Sequence, residues 1–101
     1  MKMAEVYLNV IRTRDEVLVA VCDKELLGKK FKEGDLRLHV TEKFYQGVLV
    51  GISEALKEIE NCTIANLVGE RIVTEAINAG LLHKDSVIYI QGIPHVQIVK
   101  M

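Results

Sequence analysis

Hydrophobic residues along this chain follow two different periods, and the change from one to the other divides it into elements. From residue 4 to residue 11, Val6, Leu8 and Val10 alternate with Tyr7 and Asn9, which predicts a strand with one apolar face. Val17-Leu-Val-Ala-Val21 is apolar without a break and rich in β-branched residues, as in a strand covered on both faces. The polar turn Thr13-Arg-Asp-Glu16 joins the two into a hairpin. Residues 35–40 alternate strictly, with Leu36, Leu38 and Val40 expected inward and Asp35, Arg37 and His39 outward. Residues 48–50, 86–90 and 96–99 read as further strands, and Gly92-Ile-Pro-His95 as a turn.

A period of 3.6 replaces the alternation between Thr63 and Gly80. Val68, Ile72, Val73, Ala76 and Ile77 fall on one side, and Glu70, Arg71, Thr74, Glu75 and Asn78 on the other, so the stretch is expected to be one long amphipathic helix. Gly80 supplies its stop. Thr63 is a candidate N-cap, while Gly69 within the pattern marks either the true start of the helix or a close backbone contact. Ser53 reads as the cap of a shorter helix, with Ile52, Leu56 and Ile59 toward the core and Asn61-Cys62 ending it. Asp23 similarly reads as the cap of a helical turn, residues 24–27, closing at Gly28. Thr41 to Gly47 holds adjacent aromatics, Phe44 and Tyr45, which a strand would point to opposite faces, leaving one exposed.

Strands first, then helices, then a closing hairpin predict an α+β fold: a two-layer sandwich with a largely antiparallel sheet and one long and one short helix on one face. At 101 residues the chain is expected to form a single domain, 1–101. Half the residues are hydrophobic and 27% are charged, which excludes a disordered or fibrous chain. Glu5 interrupts the N-terminal apolar stretch and no apolar run reaches membrane-spanning length, so a cytoplasmic protein is expected. Cys22 and Cys62 stand far apart in no CxxC spacing, which favours two reduced, buried thiols.

Four segments together resemble a family of small archaeal proteins, domain of unknown function 424. They are Val21-Cys-Asp-Lys-Glu-Leu-Leu-Gly-Lys29, Phe44-Tyr-Gln-Gly47, Thr63-Ile-Ala-Asn-Leu-Val-Gly-Glu70 and Gly92-Ile-Pro-His-Val-Gln97. Cys62 and Val96 stand where that pattern usually has alanine. The resemblance implies a two-layer α+β fold and an archaeal cytoplasm; it implies no reaction.

Two sets of residues carry candidate chemistry. Arg12, Arg14, Lys29, Lys30, Lys32, Arg37 and Lys43, with Tyr45 as a stacking aromatic, form the first, a phosphate-contacting patch. The formal net charge of −1 gives no global attraction to nucleic acid, so such a patch would have to act locally. It predicts a small binding or accessory module for RNA or a ribosome-associated protein. The second set, Cys22, Asn66, Glu70, His95 and Gln97, is that of a small enzyme or ligand-binding cleft, with His95 moving a proton or Cys22 acting as nucleophile. Each has a plainer role open to it: a solvated charged face, a core thiol, a capping asparagine, a turn histidine. No catalytic, nucleotide or zinc motif is present, so the sequence favours a binding module over an enzyme and calls for no metal or cofactor. A homo-oligomer through a sheet edge, completed by the C-terminal strand, is a further expectation.

Overall fold

The alternation that begins the chain becomes the second strand of a six-stranded mixed sheet. The computed structural model describes residues 5–100; Ala4, where the expected first strand begins, lies outside them. In chain order the strands are β1 (Glu5–Arg12), β2 (Val17–Asp23), β3 (Lys30–Glu33), β4 (Leu36–His39), β5 (Val48–Gly51), β6 (Ile64–Val68), β7 (Ile88–Ile90) and β8 (Ile93–Val99). The helices are α1 (Glu42–Tyr45), α2 (Ile52–Asn61) and α3 (Glu70–Asn78). The large sheet has the order β5-β1-β2-β6-β8-β7, while β3 and β4 form a separate two-stranded ribbon. Among the described residues, β2 and β6 pair in parallel and the other neighbours are antiparallel.

The continuous apolar run of β2 has the expected cause. Val19 and Val21 pack with Ala55 and Ile59 of α2 and Ile72, Val73 and Ala76 of α3 on one face of the sheet. Ala20 and Cys22 point the other way, into a second cluster formed by Leu38 and Val40 of the ribbon arm, Tyr45 of α1, Val68 and Ile90. All four β2 side chains are fully buried. The architecture is thus α+β, with both longer helices on one face and the ribbon and α1 covering part of the other.

Several elements differ from the expectation, each for a physical reason. The long helix is a strand followed by a nine-residue helix: β6 aligns with β2 from Leu18 opposite Ile64 to Cys22 opposite Val68, and α3 begins after Gly69. Gly69 has φ 119°, a conformation only glycine adopts readily, and its N–H donates to the Pro94 carbonyl at 2.9 Å. Thr63 therefore caps no helix; its Oγ1 accepts from the Val17 N–H at 2.8 Å. Helix α2 starts at Ile52, before Ser53, with Gly51 as a cap that has no side chain to offer. The chain over Pro94 and His95 is already strand, because the turn is made by Gln91 (φ 53°) and Gly92 (φ 79°) alone. Leu36, near the ribbon tip, is exposed rather than inward.

At the end of α3 the predicted stop holds. Gly80 N–H donates to the Ile77 carbonyl and Leu81 N–H to the Ala76 carbonyl, both at 3.0 Å, the pairing of a glycine-terminated helix.

Candidate functional site

Register sets Lys30, Lys32 and Arg37 on one face of the ribbon with His39. Lys30 lies opposite His39 and Lys32 opposite Arg37, while Phe31 and Leu38, one step out of phase, turn toward the sheet. All four outward residues are exposed. Among the described residues neither Lys30, Lys32 nor Arg37 makes an ion pair. Like charges directly opposite across two strands repel, so this face is electrostatically unfavourable when nothing is bound to it. The ribbon is fixed at its base, where Gly28 N–H donates to the Val40 carbonyl at 2.7 Å and Val40 N–H to the Lys29 carbonyl at 2.9 Å. Near its tip, Gln91 N–H donates to Glu33 Oε1 at 2.6 Å. Lys30, Phe31, Lys32, Arg37, Leu38, His39 and Gln91 line an open recess of about 660 Å³.

Arg12 and Arg14 of the sequence-derived patch do not join this surface. Arg12 is paired with Val17 at the β1–β2 turn, whereas the chain leaves for the ribbon from the opposite end of β2, where Asp23 faces Val6. Six residues of strand separate these ends, about 20 Å. Arg14 sits in the same turn as Arg12, which approaches Glu58 at 3.9 Å. Lys29 is exposed at the ribbon's base and Lys43 is exposed on α1. Tyr45 is a correction: it is 4% exposed and lies in the core beneath the ribbon, so it offers no stacking surface. Its ring meets Phe44 edge-on at 4.9 Å, because the pair lies on a helical turn rather than a strand.

Four of the five residues of the alternative set share one face of the sheet. Asn66 lies directly opposite Gln97, and two residues along, Val68 stands between Cys22 and His95 in register. Glu70 is elsewhere, in a recess of about 330 Å³ shared with Asp23, Glu25, Arg71, Thr74 and Glu75. Cys22 is buried, and its burial, reinforced by the charges of Asp23 and Glu25, pushes the thiol up to about 12, far from a reactive thiolate. Burial lowers the pKa of half-buried His95 and keeps the ring neutral. Asn66 stands in β6, not at the start of a helix. No group of three or more metal-binding side chains occurs among the described residues. Both cysteines are free and buried.

Sequence reasoning missed the partner of Asp23. Its side chain makes no hydrogen bond to the turn that follows it; Oδ2 accepts from the Arg71 N–H at 2.8 Å and Oδ1 from the Ile72 N–H at 3.0 Å. A side chain of this chain therefore occupies the N-terminus of α3, where an anionic ligand would otherwise bind. Burial raises the Asp23 pKa, opposed by these two donors and the Arg71 charge. Nothing in the local sequence signals a cap delivered from 48 residues away.

The family described as a protein of unknown function (DUF424) matches residues 11–101. The chain belongs to that family. A crystal structure of an uncharacterized conserved protein from Methanopyrus kandleri is similar, with 32% sequence identity and a TM-score of 0.80, over 97% of this chain and 95% of that one. The α+β fold of this DUF424 member is therefore shared along nearly its whole length. No curated protein matches the chain. No helix among the described residues is long and apolar enough to cross a membrane.

Proposed function

We propose that this protein is a small binding module that contacts RNA phosphates through the outer face of the β3–β4 ribbon. One observation carries the reading: Lys32 faces Arg37, and Lys30 faces His39, with none of the three cations in an ion pair among the described residues. Bound phosphate would turn that repulsion into charge-assisted hydrogen bonds, with Arg37 able to offer two parallel donors and Lys30 and Lys32 acting as point charges. Folding thus sets aside a basic surface in a chain whose formal net charge is −1. Glu33, in the same ribbon, has its carboxylate engaged by the Gln91 N–H at 2.6 Å, while Glu25, Glu70 and Glu75 line a second recess. The setting that suits this role is the cytoplasm, with RNA or a ribosome-associated assembly as the partner.

The test is binding of bulk transfer RNA by the intact protein, followed by fluorescence anisotropy at increasing salt. Affinity should fall linearly on a log–log plot. Arg37→Glu should weaken binding at least about tenfold, as expected when a phosphate contact becomes a repulsion. Arg12→Glu, at the far end of the sheet, should leave it within about twofold. Equal losses from both variants, or no binding at low salt, would refute the reading.

A further inference from the structure

The recess at the ribbon offers more than charge. Phe31 and Leu38 lie opposite each other across the two strands. Lys30 and Lys32 flank Phe31 in sequence, and Arg37 and His39 flank Leu38, so an apolar pair sits within a frame of three cations and a histidine. Leu38 is buried and Phe31 half-buried, yet both line the open recess. Gln91 joins the lining from the turn between β7 and β8. Its backbone N–H is fixed by Glu33, whereas its side-chain amide makes no hydrogen bond among the described residues.

Cations alone suit any chain of phosphates, but an apolar floor beside them distinguishes one form of RNA from another. A double helix keeps its base faces stacked on one another and shows a protein its phosphates, sugars and base edges. An unpaired base has its faces free, and these gain by contact with an aromatic ring, a guanidinium plane or an imidazole. All three groups line this recess, in Phe31, Arg37 and His39. Its volume of about 660 Å³ lies within the range of small-molecule sites, roughly 300–1,000 Å³. The Gln91 amide, both donor and acceptor, can meet the edge of any base.

We infer that the recess takes one unpaired base of a single-stranded RNA against Phe31 and Leu38, with the flanking phosphates on Lys30, Lys32 and Arg37. This rests on the phosphate-binding role proposed above and specifies its ligand. The probes are a labelled single-stranded RNA of about ten nucleotides, within the site sizes known for single-strand binders, the same strand with every base removed, and the duplex it forms with its complement. Binding of the intact protein is followed by anisotropy at low salt. The strand should bind at least about fivefold more tightly than its abasic counterpart, the lower end of what one stacked base contributes. It should also bind more tightly than the duplex.

Phe31→Leu keeps an apolar side chain over the core and removes the ring, so it should bring the strand to within about twofold of the abasic probe. The comparison of the two strands on the unaltered protein needs no variant and stands whether or not this one folds. Equal binding of the normal and abasic strands would overturn this inference and leave the phosphate-binding role standing. So would a duplex that binds as tightly as the strand, or a folded Phe31→Leu protein that keeps the full difference. No binding of any probe at low salt would overturn both.

Discussion

Asp23 and Gly69 are fitted to each other: a Cβ on Gly69 would overlap the Asp23 carboxyl group, which caps the helix beginning at the next residue. β2 and β6 run parallel, ending with Cys22 opposite Val68, so the residues immediately after this pair meet at the start of α3. Glycine is required there twice over, for its φ of 119° and for the space taken by Asp23.

Gly69→Ala should destabilise the protein by about 3 kcal/mol, from backbone strain together with displacement of the cap. Asp23→Ala alone should cost about 1–2 kcal/mol. In the double variant the steric conflict is relieved, so the combined loss should be smaller than the sum. Urea midpoints of the wild type and three variants measure this coupling, and strict additivity would contradict it.

The buried Asp23 carboxyl also makes stability depend on pH. Its pKa is raised in the fold, so between the unfolded value of 3.8 and the folded one the native state holds the proton more firmly than the unfolded chain. Its contribution is fully present below the unfolded value and is lost as pH rises through the folded one. Asp23→Asn, neutral throughout, should remove that slope in a series of denaturation curves on the acid side of neutrality.

On the alkaline side, Cys22 is pushed from 9.0 up to about 12, and burial, with a smaller effect from Cys22, raises the Tyr45 phenol above its ordinary 10.0. Above the ordinary thiol value the unfolded chain releases a proton that the native state retains, so stability must fall as pH rises. The thiol alone should cost about 1.4 kcal/mol at about pH 10. Cys22→Ala should flatten the decline between about pH 8 and pH 10, whatever it does to absolute stability. Thiol reagents should modify Cys22 at about pH 8 only at the rate of unfolding.

Lys32→Glu should separate folding from binding. Replacing one of two facing cations by a carboxylate opposite Arg37 changes repulsion to attraction, a gain of about 0.2–1 kcal/mol at low salt. The same change should weaken RNA binding. A protein that is both less stable and a poorer binder would instead assign Lys32 a structural role.

Lys100 makes two contacts that bear on α2. Its Nζ donates to the Ile59 carbonyl at 2.9 Å and the Glu60 carbonyl at 2.6 Å, at the end of a helix with no basic residue in its last turn. Lys100→Ala should lower stability by about 0.5 kcal/mol, an effect that shrinks in high salt. Thermal unfolding at two salt concentrations measures it.

Local patterning was enough for the elements whose neighbours in sequence are also their partners. The β1–β2 hairpin, the doubly covered run of β2, the α+β class and the helix stop at Gly80 follow from residue periods and turn chemistry within a few positions. The family resemblance, too, lay in the sequence and is met by the match over residues 11–101. Ile64 to Val68 was different, because its apolar pattern suits either period; pairing with β2 on one side and β8 on the other made it a strand. The sheet edges were likewise decided by pairing: β5 and β7 are outermost, and the C-terminal strand lies inside.

The candidate site divides in the same way. Basic residues near Lys30 were evident in the sequence, but whether they converge depended on register, which set Lys32 against Arg37 and left Arg12 and Arg14 at the other end of the sheet. The same packing buried Tyr45 and assigned Asp23 to a helix 48 residues away. The sequence by itself determined which residues are apolar, charged or able to turn the chain, since those are properties of a residue and its near neighbours. Tertiary structure alone decided which distant groups face each other, because charge, burial and capping act through space.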